Sequence, residues 1–116
     1  MNHAESQLQR GCVAWFRAQY FELALNLIAI PNGGRRNKIT AAIMKGEGVV
    51  PGAADLVLFY PSKEYHGLCI EMKTPVGRQS DTQKDWMRAV EMAGYKYVIC
   101  RSLEDFMWQV NTYING

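Results

Sequence analysis

Two apolar runs in the middle of the chain, "DLVLF" (55–59) and "LCIEM" (68–72), constrain the fold more than any other feature. Each is short, rich in branched residues and bounded by turn residues, as strands of a sheet interior are. The polar loop "YPSKEYH" joins them, so the pair predicts a hairpin. Placing its centre at Lys63 sets Val57 opposite Cys69 and Phe59 opposite Gly67, which matches the apolar sets. The same register sets Asp55 opposite Glu71. Strand residues alternate between faces, so Glu71 and Lys73 project together while Met72 points the other way. Two carboxylates and an ammonium therefore converge at one end of the hairpin.

Charges at the margin of buried strands need a partner or a task. Converging carboxylates repel each other unless a cation lies between them. All-oxygen ligation suits a hard ion, Mg²⁺ or Mn²⁺, which keeps waters and leaves room for a phosphate oxygen. Lys73 would then orient an attacking water or offset developing charge. The plain alternative is a structural ion pair, Glu71–Lys73 or Asp55–Lys73, because a short acid-acid-lysine pattern is common. The surroundings favour the metal reading: a Gly/Pro-broken approach to Asp55, an apolar run before Glu71 and a helix soon after Lys73.

The rest of the chain arranges itself around this hairpin. Residues 4–21 carry a helical stripe of Leu8, Cys12, Trp15 and Gln19. "LNLIAI" reads as a strand closed by the turn "PNGG", and 38–45 as a short helix ended by Gly46 and Gly48. Residues 80–92 form a helix stopped at Gly94, with Gln83, Trp86 or Met87, and Val90 on its inner face; Trp86 reads as core. "YKYVIC" is a further strand, and Ser102 caps a last helix containing Phe106, Val110 and Tyr113. The order αβ(α)ββαβα predicts an α/β (α+β) fold, a mixed sheet flanked by helices.

The 116 residues suffice for one domain, 1–116, with a full core, and no repeat, low-complexity tract or linker divides them. A net charge of +2 does not mark the chain as a general nucleic-acid binder. Arg35, Arg36 and Lys38 crowd together after a glycine turn, as a solvated patch or a binding patch would. Cys12, Cys69 and Cys100 follow no paired spacing, and two lie in apolar runs, which favours a reducing setting. "MNHAESQLQRG" has no hydrophobic signal region and "LALNLIAI" is too short to span a bilayer, so a cytoplasmic protein without membrane contact is expected. His3 and His66 are isolated and read as surface residues. No Ser or Cys nucleophile arrangement is present, and "PNGGRRNK" lacks the lysine and hydroxyl of a nucleotide-binding P-loop.

The segments "PNGG", "GVVPGAADLVLF", "GLCIEMK" and "QKDW", in that order and spacing, resemble the virus-type replication–repair nuclease (VRR-NUC) domain of the PD-(D/E)xK nuclease superfamily. The resemblance runs from Glu5 to the last helix. It implies an intracellular enzyme of bacterial or phage type that hydrolyses DNA phosphodiester bonds with a divalent metal. It also implies that Asp55, Glu71 and the Met72 carbonyl hold the ion and that Lys73 is catalytic. One departure stands out: the residue before the aspartate, usually proline, is Ala54, which bears on the shape of the chain there and not on its ligands.

Two polar residues carry a double reading. Glu5 lies on the inner stripe of the first helix, where an acid near the N-terminus is favoured by the helix dipole; the resemblance makes it a further acid at the metal. Gln83 stands three residues after Ser80, the spacing of a capping box; the resemblance puts it beside the active centre. Asn32, Gly33, Gly34, Arg35, Arg36 and Lys38 could cradle a DNA phosphate on glycine-turn amides, and the resemblance places this loop near the cleft. Small standalone members of the family imply a homodimer acting on branched DNA such as Holliday junctions. The rival expectation is a binding or assembly module with the same fold and no catalysis. A base-specific restriction nuclease would need recognition elements for which this length has no room.

Overall fold

In the computed structural model, residues 3–31 and 38–116 are described. Helix α1 (His3–Gln19) leads through a 3-10 helix (Phe21–Asn26) into strand β1 (Leu27–Ala29). There follow helix α2 (Lys38–Gly46), strands β2 (Leu56–Leu58) and β3 (Leu68–Met72), helix α3 (Asp81–Met92), strand β4 (Lys96–Cys100) and helix α4 (Leu103–Asn115). The sheet order is β1-β2-β3-β4, antiparallel except for the parallel pair β3–β4. This is the expected order, with the 3-10 helix added.

The alternation of strand residues divides the core in two. Leu56, Leu58, Leu68, Ile70, Met72, Val98 and Cys100 pack against Cys12 and Phe16 of α1 and Phe106, Val110 and Tyr113 of α4. The opposite face presents Val57, Cys69 and Tyr97 to Trp86, Met87 and Val90 of α3. Trp15 meets Phe106 edge-on at 6.0 Å, tying α1 to α4. All three cysteines are free and buried. Burial pushes the Cys12 thiol up to about 12 and the Cys69 thiol up to about 11, so both behave as small hydrophobes.

Two details differ from the sequence reading. In α1 the buried residues are Cys12 and Phe16, while Gln19 is exposed. A step of four from Cys12 follows the 3.6-residue period onto the sheet, and the stripe then leaves it where the chain turns. The run "LNLIAI" is a strand only over 27–29, because the Leu23 amide donates to the Tyr20 carbonyl at 2.8 Å and starts the 3-10 helix. That turn leaves Leu25 exposed and brings Asn26 to Phe59, whose carbonyl accepts from the Asn26 side chain at 2.7 Å. Helix α2 buries none of its residues, and Ile39 is 74% exposed. No helix among the described residues is long and apolar enough to cross a membrane.

Two glycines on the approach to Asp55 have positive φ, where a side chain is strained: Gly48 at 104° and Gly52 at 88°. A Cβ on Gly48 would meet nothing within 4 Å. A Cβ on Gly52 would lie 2.4 Å from the carbonyl carbon and oxygen of Thr82 and 2.8 Å from the Gln83 nitrogen. The chain can therefore reach Asp55 only by pressing bare backbone onto the first turn of α3. Gly48→Ala should lose about 1–2 kcal/mol from backbone strain alone. Gly52→Ala adds overpacking and should lose roughly 3 kcal/mol or more. Urea unfolding of the two variants measures the difference, and equal losses would show that this close approach is not what requires a glycine.

Candidate active site

The register of β2 against β3 pairs Leu56 with Ile70, Val57 with Cys69 and Leu58 with Leu68. One position further out, this register sets Asp55 opposite Glu71. The Asp55 carbonyl accepts the Ile30 amide at 2.9 Å, so the backbone just before β2 is held from the β1 side. On the other side, the Met72 amide donates to Asp55 Oδ2 at 2.7 Å. Asp55 thus bridges two segments, one by its main chain and one by its carboxylate. The Met72 side chain points into the opposite core, as its alternate position requires.

Both acids are nearly dry: Asp55 is 7% exposed and Glu71 2%. Burial pushes the Glu71 carboxyl up to about 9, helped by a hydrogen bond shared with Asp55 and by the Asp55 charge. The charge of Lys73 and the hydroxyl of Tyr97 act in the opposite direction. The buried pair therefore favours keeping a proton, since two such close charges are costly in a dry site. A cation between the oxygens would remove the reason for that proton. The donors at hand are oxygens, so the fitting ion is a hard one such as Mg²⁺ or Mn²⁺.

Lys73 is half-buried, and its amide donates to the Cys100 carbonyl at 3.0 Å, which extends the β3–β4 pairing by one residue. It forms no direct ion pair with either acid; among the described residues the ion pair found joins Arg88 and Asp85 on the exposed side of α3. The structural ion-pair reading of this pattern is thereby set aside. After Lys73 the chain turns through Thr74–Gly77, where Arg101 Nη1 donates to the carbonyls of Thr74 at 2.8 Å and Gly77 at 2.7 Å.

Gln83 makes two separate sets of contacts. The Ser80 hydroxyl accepts the Gln83 amide at 3.2 Å and the Ser80 amide donates to Gln83 Oε1 at 2.8 Å, closing the capping box. With its oxygen so engaged, the side chain turns its nitrogen outward, and Nε2 donates to Glu71 Oε2 at 3.2 Å. A helix cap thereby orients a donor onto the acid. Sequence reasoning missed Tyr97, whose hydroxyl donates to Glu71 Oε1 at 3.2 Å, and Gln79, whose Nε2 lies 3.3 Å from that hydroxyl. The alternation of "YKYVIC" places Tyr97 on one face, but only the register of the parallel β3–β4 pair puts that face beside Glu71.

Glu5 lies in the first turn of α1, half-buried. No three His, Cys, Asp or Glu side chains gather as a metal-holding group among the described residues, so the acids brought together are Asp55 and Glu71. Lys38 opens α2 on the surface, whereas Asn32, Gly33, Gly34, Arg35 and Arg36 lie outside the described residues.

Glu71 holds its proton more tightly when folded than when unfolded, where its value is 4.5. Its contribution to stability is therefore complete below about 4.5 and declines as pH rises toward about 9. In chelator, the melting temperature of the wild type should fall across this window. Glu71→Gln, neutral throughout, should flatten the profile and melt higher than the wild type at its alkaline end. Parallel profiles in thermal unfolding would refute a proton shared by the pair.

Comparison with known proteins identifies the fold and the family. A solved structure described as a VRR_NUC domain protein superimposes with a TM-score of 0.85 at 24% identity, covering 99% of this chain and 91% of that one. That likeness establishes the fold. None of the curated proteins compared matches the chain. The model of the VRR-NUC domain matches residues 3–104, a span that includes Glu5, Asp55, Glu71, Lys73 and Gln83, and the chain belongs to the VRR-NUC family of nuclease domains.

Proposed function

We propose that the protein is a divalent-metal-dependent DNA endonuclease that hydrolyses phosphodiester bonds in branched DNA. The observation that carries this reading is the buried pair Asp55–Glu71, set opposite each other by the β2–β3 register, where a hard cation would neutralise both acids. Asp55, Glu71 and the Met72 carbonyl would hold Mg²⁺ or Mn²⁺, with Glu5 as a further acid, directly or through water. When bound, such an ion supplies activation of a water and polarisation of a phosphorus–oxygen bond.

The chain's own residues do the rest. Glu71 presents a carboxylate fixed by Gln83, and Asp55 one fixed by the Met72 amide. Lys73 projects from the same side of the strand as Glu71, where an ammonium can orient the attacking water or offset the charge that grows on the phosphate. Asn32, Gly33, Gly34, Arg35, Arg36 and Lys38 would contact the DNA backbone. A domain of 116 residues has little surface for recognising shape by itself. A homodimer would set two such sites across a two-fold axis, matching the symmetry of a four-way junction.

Cleavage of labelled DNA at fixed salt tests the reading. With Mg²⁺ or Mn²⁺, the wild type should cut four-way junctions in preference to flaps or linear duplex, and chelator should abolish cutting. Asp55→Ala and Lys73→Ala should each lower the rate by about 10²–10³-fold or more. Equal cutting of all three DNAs would remove branched DNA from the proposal. Wild type and Asp55→Ala equally inert on every substrate, while still shifting DNA in a gel, would favour the binding-module alternative.

A further inference from the structure

Tyr97 is a nearly buried phenol that the proposed chemistry does not use, yet it reaches the more deeply buried of the two acids. Its hydrogen bonds have a definite direction. Gln79 Nε2 lies 3.5 Å from the Met87 sulfur and 3.3 Å from the Tyr97 oxygen, so this amide nitrogen donates to two acceptors. The phenol, accepting from Gln79, turns its own proton to Glu71 Oε1 at 3.2 Å. Glu71 Oε2 meanwhile accepts from Gln83 at 3.2 Å. Each oxygen of the Glu71 carboxylate is thus held by its own donor, one from β4 and one from α3.

Two donors from different elements fix the plane of a carboxylate. An ionised carboxylate offers about four lone-pair sites; Tyr97 and Gln83 occupy two on Glu71, on opposite oxygens. The carboxylate can still give a lone pair to an ion, but it cannot swing freely to grip a large ion with both oxygens. Mg²⁺ and Mn²⁺ need few ligands in near-octahedral positions, whereas Ca²⁺ takes more ligands, often bidentate, in flexible geometry. Pinning Glu71 favours the small ions.

We infer that Tyr97, oriented by Gln79, is a positioning residue that fixes the Glu71 carboxylate and thereby sets the selectivity of the site for small divalent cations over Ca²⁺. The inference rests on the proposal that Asp55 and Glu71 hold a divalent metal. It requires no part of the DNA reading.

Calorimetric titration of the purified protein with Mn²⁺ and, separately, Ca²⁺ tests it without DNA. Tyr97→Phe keeps the ring that packs 6.3 Å from Trp86 and removes only the hydroxyl. It should weaken Mn²⁺ binding by about 10–100-fold, the usual effect of losing a hydrogen bond to a ligating group, and Ca²⁺ binding by clearly less. Gln79→Leu should shift the same ratio in the same direction by a smaller factor, which covers the case of a poorly folding Tyr97→Phe. Unchanged binding of both ions, or equal loss of both, would overturn the role of Tyr97 and leave the metal site intact. A wild type that binds neither ion would instead overturn the metal reading beneath it.

Discussion

The repulsion between two dry carboxylates is the interaction on which the organisation of this protein turns. Asp55 and Glu71 face each other because β2 and β3 pair in one register, and that register also buries both apolar sets. A slip of one residue would carry Leu56 and Leu58 to the α3 face and move Asp55 out of line with Glu71. Ordinary hydrophobic packing therefore enforces an electrostatically unfavourable meeting. The fold accepts that meeting because the other face of the sheet, packed on α1 and α4, holds the larger apolar core and, among the described residues, no buried acid.

Helix α3 is the element that makes the acidic face usable. Its capping box would exist on any helix beginning Ser-x-x-Gln, but here the cap also orients Gln83 toward Glu71. Gly52 lets the chain before Asp55 lie against that same first turn. Arg101 ties down the carbonyls of Thr74 and Gly77, which fixes the connection between Lys73 and the helix. The three devices act on one short stretch, so Asp55, Glu71, Lys73 and Gln83 are positioned together and not one at a time.

Much of this was legible in the sequence because it is local. The hairpin register followed from symmetry about Lys63, and strand β3, the cap at Ser80 and the cap at Ser102 fall where turn and capping chemistry puts them. Phe16 was missed because Trp15 and Phe16 both satisfy a helical step from Cys12, and only the sheet beneath α1 chooses between them. The 3-10 helix was missed because "FELALN" carries no Gly or Pro to announce a bend and its apolar residues run on into the strand. Tyr97 and Gln79 were out of reach for a different reason. Their meeting with Glu71 depends on a parallel strand pair joined through a helix, and no hairpin symmetry constrains such a register.

That division has a physical meaning for the site. The charged centre is specified by short-range pattern, Asp55 and Glu71 lying only 16 positions apart across one hairpin. The groups that hold Glu71 in place come from the long-range part of the fold, Gln83 through α3 and Tyr97 through β4. The hairpin alone could bring two acids together, but it could neither keep water from them nor fix their direction. Both of those require α3 and β4 to close over the hairpin. The site therefore acquires its raised Glu71 proton affinity and its directional donors only when the last long-range pairing forms, so that the chemistry of the centre is a property of the completed fold and not of the motif that announces it.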